Sequence, residues 1–112
     1  MTDTNLIRFH ATVATPRASR NMVRLFKHFA HKVEVTYDTH SAHGDFPFGR
    51  CDIEASDDAL RIDCSVPGEQ ALARMRHVID DHLFRFSGEE ALEVSWQEGP
   101  HPAMYAQEAD RP

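Results

Sequence analysis

Apolar and polar residues alternate along several short stretches of the chain, a pattern typical of half-buried strands. In the first stretch the apolar residues Ile7 and Phe9 stand on either side of Arg8, and the same spacing continues to Val13. Comparable stretches recur between segments rich in turn-forming residues, the longest of which runs from Asp38 to Gly44. Five strands are predicted on this basis, over residues 7–13, 33–37, 46–55, 59–66 and 92–96.

Two stretches with a helical period separate these strands. Thr15-Pro16 reads as an N-cap followed by proline at the first helical position, and the apolar spacing predicts a helix from there to about His31. Pro67-Gly68-Glu69 opens a second helix that ends at Ser87-Gly88. The order β-α-β-β-β-α-β predicts an α+β fold, with one mixed, mainly antiparallel sheet and both helices packed on one face.

The chain length of 112 residues suits a single domain. We assign residues 1–98 to this domain, and we expect a mobile C-terminal tail over 99–112 because that stretch has three prolines and no periodicity. Phe46 and Phe48 are out of phase with the rest of their strand, which predicts a bulge near Gly49.

Asp57-Asp58 reads as a two-residue connection, and this connection fixes the register of the third and fourth strands. Counting outward from it, Cys51 lies opposite Cys64, and Glu54 lies opposite Arg61. The same register turns the apolar residues of both strands to one face. A slip by one residue would turn them to the other.

Net charge and hydropathy bear on the partners and the compartment. The chain has 12 Lys and Arg against 18 Asp and Glu, and this acidic balance argues against non-specific binding of nucleic acid. No apolar run approaches the roughly 20 residues needed to cross a bilayer. Residues 1–5 lack the basic and apolar parts of a signal peptide. We therefore expect a cytoplasmic protein that binds neither nucleic acid nor membrane.

Positive charge is concentrated in the first predicted helix. Five of the 12 Lys and Arg lie between Pro16 and Lys32, and no carboxylate lies among them. Spacings of three and four residues place the basic side chains along one side of the helix. We call the following set the basic stripe: Arg17, Arg20, Arg24, Lys27, His28 and His31.

Arg17 and Arg20 stand in or near the first turn of this helix, where the helix dipole is positive and acidic side chains are favoured. Free N–H groups and two guanidinium groups there could hold a phosphate, a carboxylate or an acidic partner. The alternative is that both arginines pair with carboxylates of the same chain. The basic stripe suggests a non-enzymatic binding module for a small anionic ligand or an acidic protein, without a cofactor.

Histidines and cysteines support a second hypothesis, a metal-binding or redox accessory protein. His28 and His31 are candidate metal ligands, but no third ligand is fixed by spacing. Cys51 and Cys64 could form a disulfide, a metal clip or a reduced packed pair, and reduced packing is the default in a reducing cytosol. A third hypothesis is an oligomeric scaffold, for example a homodimer in which the basic stripe docks on an acidic surface of its neighbour.

Motifs of the common enzyme classes are absent from the sequence. It contains no Gly-x-Ser-x-Gly elbow, no phosphate loop and no dinucleotide fingerprint, so no catalytic residue is assigned. His82 lies on the apolar stripe of the second predicted helix. We expect it to be a core residue bonded to a carbonyl or a carboxylate.

Three sequence segments, taken in order, carry a family resemblance. They are Ser19-Arg20-x-Met22-x-x-Leu25-x-Lys27-His28-Phe29-Ala30-His31-Lys32, then Phe46-Pro47-Phe48-Gly49, then His82-Leu83-x-Arg85-Phe86 with a final strand ending in Trp96. Over residues 8–97 the chain resembles the bacterial family known as domain of unknown function 2218. The resemblance implies a short stand-alone protein without an assigned activity. It also implies a link to siderophores and iron, because similar domains are joined to flavin-containing siderophore-interacting reductases. The family pattern points, without a role, to Arg20, His28, His31, Lys32, Gly49, His82 and Trp96.

Overall fold

The computed structural model describes residues 6–102, which form six strands and two helices. The elements are β1 (Ile7–Ala14), α1 (Ala18–Phe29), β2 (Glu34–Tyr37), β3 (Ser41–Phe46), β4 (Gly49–Ala55), β5 (Ala59–Val66), α2 (Glu69–Phe86) and β6 (Gln97–Glu98). A 3-10 turn, Gly88–Glu90, follows α2. The predicted α+β class is confirmed, with helices between β1 and β2 and between β5 and β6.

One six-stranded sheet has the order β2-β3-β4-β5-β1-β6, and each neighbouring pair described is antiparallel. The two helices and one face of the sheet enclose the core. Met22, Leu25 and Phe26 of α1 are fully buried there, as is Ile79 of α2. The prediction that both helices pack on one face of the sheet is confirmed.

The predicted register of the β4–β5 hairpin is confirmed. Cys51 pairs with Cys64, and Glu54 pairs with Arg61. Both cysteines are free thiols without solvent exposure, and burial raises the pKa of Cys64 well above its ordinary value. They pack as small apolar residues, because neither has the accessible, electropositive setting that makes a thiol reactive.

The stretch before Ala55 forms two strands instead of one. Phe46 ends β3, the residues 47–48 make a turn, and Gly49 begins β4 with φ of +152°. A turn between two strands stands where a bulge was predicted near Gly49, and β3 occupies residues 41–44 of the loop predicted over 38–44. Both predictions are therefore wrong in part. Ala42 and Gly44 face the core, and β3 is paired on both sides, so sheet pairing overrides the turn propensity of this segment.

The chain after α2 was predicted to form a strand over 92–96, but the ladder with β1 forms only over 97–98. Leu92 is buried and Trp96 packs on the core, with its ring edge-on to Phe9 at 5.1 Å between centroids. The Trp96 indole Nε1 donates a hydrogen bond of 2.8 Å to Asp80 of α2. The alternating pattern thus reports packing of extended chain rather than pairing within the sheet.

His101 extends the packed domain beyond the predicted boundary at 98. Its side chain is 3% exposed, its ring contacts Thr12 Oγ1 at 2.7 Å, and its backbone N–H donates to Asp63 Oδ1 at 2.9 Å. The start of the predicted tail is therefore held against the polar face of the sheet. Residues 103–112, the rest of that tail, lie outside the described residues.

Candidate functional site

A cleft opens where the end of α1, the middle of α2 and the turn between β3 and β4 meet, and we call it the aromatic cleft. Its volume is about 290 Å³, which is at the small end of the range for ligand-binding pockets. The three elements come from distant parts of the sequence, so the cleft exists only in the folded chain. Val33, Pro47 and Val78 contribute apolar surface to it.

Aromatic rings form one wall of the aromatic cleft. Phe46 ends β3 and Phe48 lies in the turn, and their ring centroids are 5.4 Å apart. Phe29 of α1 meets the Phe46 ring nearly at a right angle, with 5.0 Å between centroids. Gly44 makes room for this packing, since a Cβ there would lie 3.1 Å from the Phe46 ring. The rings fix the turn against α1.

Two histidines form a second wall. The His28 and His82 rings are tilted by 36°, with centroids 4.8 Å apart. His82 Nδ1 lies 2.7 Å from the Val78 carbonyl, which can only accept, so Nδ1 carries a proton and donates it. This bond confirms the prediction that His82 is bonded to a carbonyl. His82 is only half buried, however, and it also lines the cleft.

Positive charge surrounds the His28 ring. Desolvation is the main cause that lowers the pKa of His28 from its ordinary value of 6.5. The neighbouring charges that lower this pKa further are all cationic groups, namely His82, Lys32, His31 and Arg85. The protein therefore brings basic groups together here, and of these Arg85 is paired with the Asp81 carboxylate at 3.4 Å.

Lys32 and Arg74 add two permanent charges to the rim of the aromatic cleft. The Arg74 guanidinium lies 4.8 Å from the centroid of the Phe48 ring, a cation–π distance. Within residues 6–102 neither cation forms an ion pair, whereas Arg50 and Arg85 do. The helix dipole favours basic residues at the end of α1. Arg74 lies within α2, where the helix dipole does not favour a positive charge.

The start of α1 already faces a carboxylate of the protein itself. Glu90 accepts hydrogen bonds from the Thr15 hydroxyl and from the Asn21 amide, the latter at 3.1 Å. These two bonds lower the pKa of Glu90, and the charges of Arg17 and Arg20 lower it further. No direct ion pair of either arginine occurs in the described part of the chain. Glu90 thus stands near the predicted anion position without being locked to it.

The rest of the basic stripe lies further along α1. Arg24 Nη1 reaches the Phe86 carbonyl at 3.4 Å. A shallow hollow beside Phe86 is bordered by the stripe residues Arg24, Lys27, His28 and His31. The structure therefore divides the predicted site residues into two at the helix start and four around this hollow, and of the six only His28 also lines the aromatic cleft.

Sequence reasoning missed most of the aromatic cleft. Arg74 is one of several exposed basic residues on α2, and no local pattern singles it out. A signal did exist in Phe46-Pro47-Phe48-Gly49, because two phenylalanines beside a turn mark an apolar surface that needs a partner or a ligand.

Metal ligation was predicted as an alternative for His28 and His31. Over residues 6–102 no group of three or more His, Cys, Asp or Glu side chains is placed to hold a metal ion. The ring nearest to His28 in the cleft is that of His82, a second imidazole, which like His28 is either neutral or cationic and never supplies negative charge. Cys51 and Cys64 are buried within the sheet and take no part in either wall.

Glu90 gives the stability of the start of α1 a pH dependence. Because the pKa of Glu90 is lowered below 4.5, its stabilisation is complete above that value and is lost as the pH falls through the lower native value. We expect Glu90→Gln to lower the melting temperature at neutral pH. In acid, the gap in melting temperature between the variant and the wild type should become smaller. Glu89→Gln, at the exposed neighbouring residue, is the matched control. A gap that stays constant down to pH about 3 would contradict this role for the charge.

No helix within the described residues is both long and apolar enough to span a membrane. Fold and cleft together define a small α+β domain with a basic cleft walled by aromatic rings. The chain belongs to domain of unknown function 2218, described as an uncharacterized protein conserved in bacteria, whose family model matches residues 10–97. The predicted family is confirmed.

A solved relative supports the same fold. The chain is similar to PA4090 from Pseudomonas aeruginosa, known from an NMR structure, with 36% sequence identity and a TM-score of 0.68. The match covers 81% of this chain and 95% of that one. No curated protein matches this sequence.

Proposed function

We propose that this protein is a non-enzymatic binding module that takes up a small anionic ligand in the aromatic cleft. One observation carries the proposal: Lys32 and Arg74 converge on a cleft without an acidic side chain in its lining, and neither is paired in the described part of the chain. A bound anion would supply the missing negative charge. Charge-assisted hydrogen bonds from such groups are among the stronger polar contacts in proteins.

The lining of the aromatic cleft suits the binding of an anion. It offers imidazole rings, two cations and apolar surface, and it contains no hydroxyl, thiol or carboxylate side chain. The small size of the cleft also favours a small molecule over an acidic protein. A stable protein interface buries on the order of 1,200–2,000 Å² of surface, which is far more than the lining of this cleft provides.

The family resemblance adds a link to siderophores and iron, and this link is part of the proposal. Siderophores are anionic chelators, so a single acidic group of such a molecule, entering the cleft alone, would match the charge of Lys32 and Arg74. The distinguishing comparison is between an iron-loaded siderophore and its metal-free form. Tighter binding of either form than of citrate would support the link, and equal binding of all three would remove it.

Titration of the protein with phosphate, citrate and benzoate, followed by NMR, tests the proposal directly. At least one of these anions should shift the signals of Lys32, Phe48 and Arg74. We expect Arg74→Gln to weaken that binding about tenfold, because a charge-assisted hydrogen bond at the rim is lost. Arg17→Gln removes the same charge from the start of α1 and is the matched control.

The two variants separate the cleft from general electrostatic attraction. An unchanged affinity in Arg17→Gln supports the aromatic cleft as the site. Equal weakening by both substitutions would show that the anion is attracted to the whole basic surface. Weakening by Arg17→Gln alone would show that the anion binds at the start of α1 instead. The proposal is wrong if none of the three anions shifts the cleft signals.

A further inference from the structure

We propose that the aromatic cleft selects flat aromatic carboxylates over other anions of similar size. This inference rests on the proposed function and names the ligand class of the same site. It follows from the way the cleft separates its two kinds of surface. Apolar ring surface lies inside, and the permanent charges of Lys32 and Arg74 lie at the rim.

The ring geometry inside the cleft suits a planar guest. Phe46 and Phe48 are half-buried, so part of each ring remains uncovered, and their planes are tilted by 41°. A flat ring placed against Phe46 or Phe48 can stack on it with a lateral offset, which is one of the arrangements that aromatic pairs prefer. Small hydrophilic anions such as phosphate would leave this surface in contact with water and gain nothing from it.

Arg74 gives the rim its geometric preference. Its guanidinium is held over the Phe48 ring, and no carboxylate of the described chain engages its donors. A planar guanidinium presents parallel N–H groups that match the two oxygens of a carboxylate. The Phe48 ring therefore belongs to both parts of the recognition, as a wall for the guest and as the platform under Arg74.

The size of the cleft limits the guest further. A volume of about 290 Å³ is too small for an extended chain molecule and suits a single small ring system. The ligand class is therefore an arene with one carboxylate at its edge. Its ring lies among the phenylalanines, and its anionic end points toward Arg74 and Lys32.

Three probes of similar size test this inference by isothermal titration calorimetry. Benzoate has the arene and the charge, cyclohexanecarboxylate has only the charge, and benzamide has only the arene. We expect benzoate to bind about two- to tenfold more tightly than cyclohexanecarboxylate, and at least about tenfold more tightly than benzamide. Phe48→Leu should remove the preference for benzoate over cyclohexanecarboxylate.

Phe84→Leu is the matched control, because Phe84 lies on α2 outside the cleft and is 50% exposed. Thermal melting establishes that each variant is folded. If benzoate and cyclohexanecarboxylate bind equally and Arg74→Gln weakens both, the preference for arenes is overturned while the proposed function stands. If neither carboxylate binds to the wild type, this inference fails, and the proposed function fails with it only if phosphate and citrate also leave the cleft signals unshifted. A preference for benzoate that survives Phe48→Leu would also overturn the assignment to these rings.

Discussion

Replacing Gly49 with alanine is expected to lower the free energy of unfolding by at least about 3 kcal/mol. A Cβ at this position would lie 2.6 Å from the Ser65 carbonyl oxygen and 2.6 Å from Val66 Cγ1. The Ser65 oxygen belongs to the backbone of β5 and cannot move without disturbing the sheet. In addition, φ is +152°, a conformation that side-chain-bearing residues rarely adopt. Urea denaturation monitored by circular dichroism measures the loss.

Gly88→Ala is the control that separates the clash from backbone strain. Gly88 also has a positive φ, of +62°, but open space surrounds the position where its Cβ would stand. We expect a loss of about 1 kcal/mol there, from strain alone. If Gly49→Ala lowered the free energy of unfolding no more than Gly88→Ala does, β5 would be able to move away from position 49 more easily than the structure indicates. Gly49 would then not fix the turn that carries Phe48.

The β4–β5 hairpin shows what the sequence was able to predict. Its register depends on a short connection and on the period-2 pattern, and both are local properties of the chain. A slip by one residue would expose Ile53 and Ile62 and bury Glu54 and Arg61, so the burial of one face leaves a single acceptable pairing. The same reasoning located α2, whose caps and apolar stripe are also local.

β3 lies beyond the reach of such reasoning. Its residues have turn propensity, and only the two neighbouring strands make them a strand. The aromatic cleft is equally hard to predict, because the turn after β3 has to dock on both helices before the aromatic rings and Arg74 come together. No spacing along the chain encodes that contact.

Glu90 illustrates the same limit for the basic stripe. Charge counting established that the first helix is basic and that carboxylates abound elsewhere. It could not choose among 18 acidic residues, and the carboxylate that contacts Asn21 comes from 69 positions further along the chain. The local sequence was compatible with both interpretations of Arg17 and Arg20, and only tertiary structure places Glu90 near them.

Benzoate binding to the aromatic cleft is expected to strengthen as the pH falls from about 7.5 to about 5.5. In the free protein, desolvation and neighbouring cations lower the pKa of His28 below 6.5. A bound carboxylate supplies negative charge and raises that pKa again, so binding is coupled to proton uptake. Affinity therefore increases as the pH falls through the interval between the raised pKa of the complex and the lowered pKa of the free protein, by up to about tenfold per pH unit for one proton. Calorimetry at several pH values measures the slope.

His28→Gln should flatten this dependence, because glutamine keeps a polar side chain but cannot take up the proton. His40→Gln, at an exposed histidine in the turn between β2 and β3, is the matched control and should leave the slope unchanged. Titration in two buffers with different ionisation enthalpies would show the proton uptake independently of affinity. Binding that weakens as the pH falls, or a slope that persists in His28→Gln, would mean that His28 does not sense the anion. The positive charge of the cleft would then come from Lys32 and Arg74 alone.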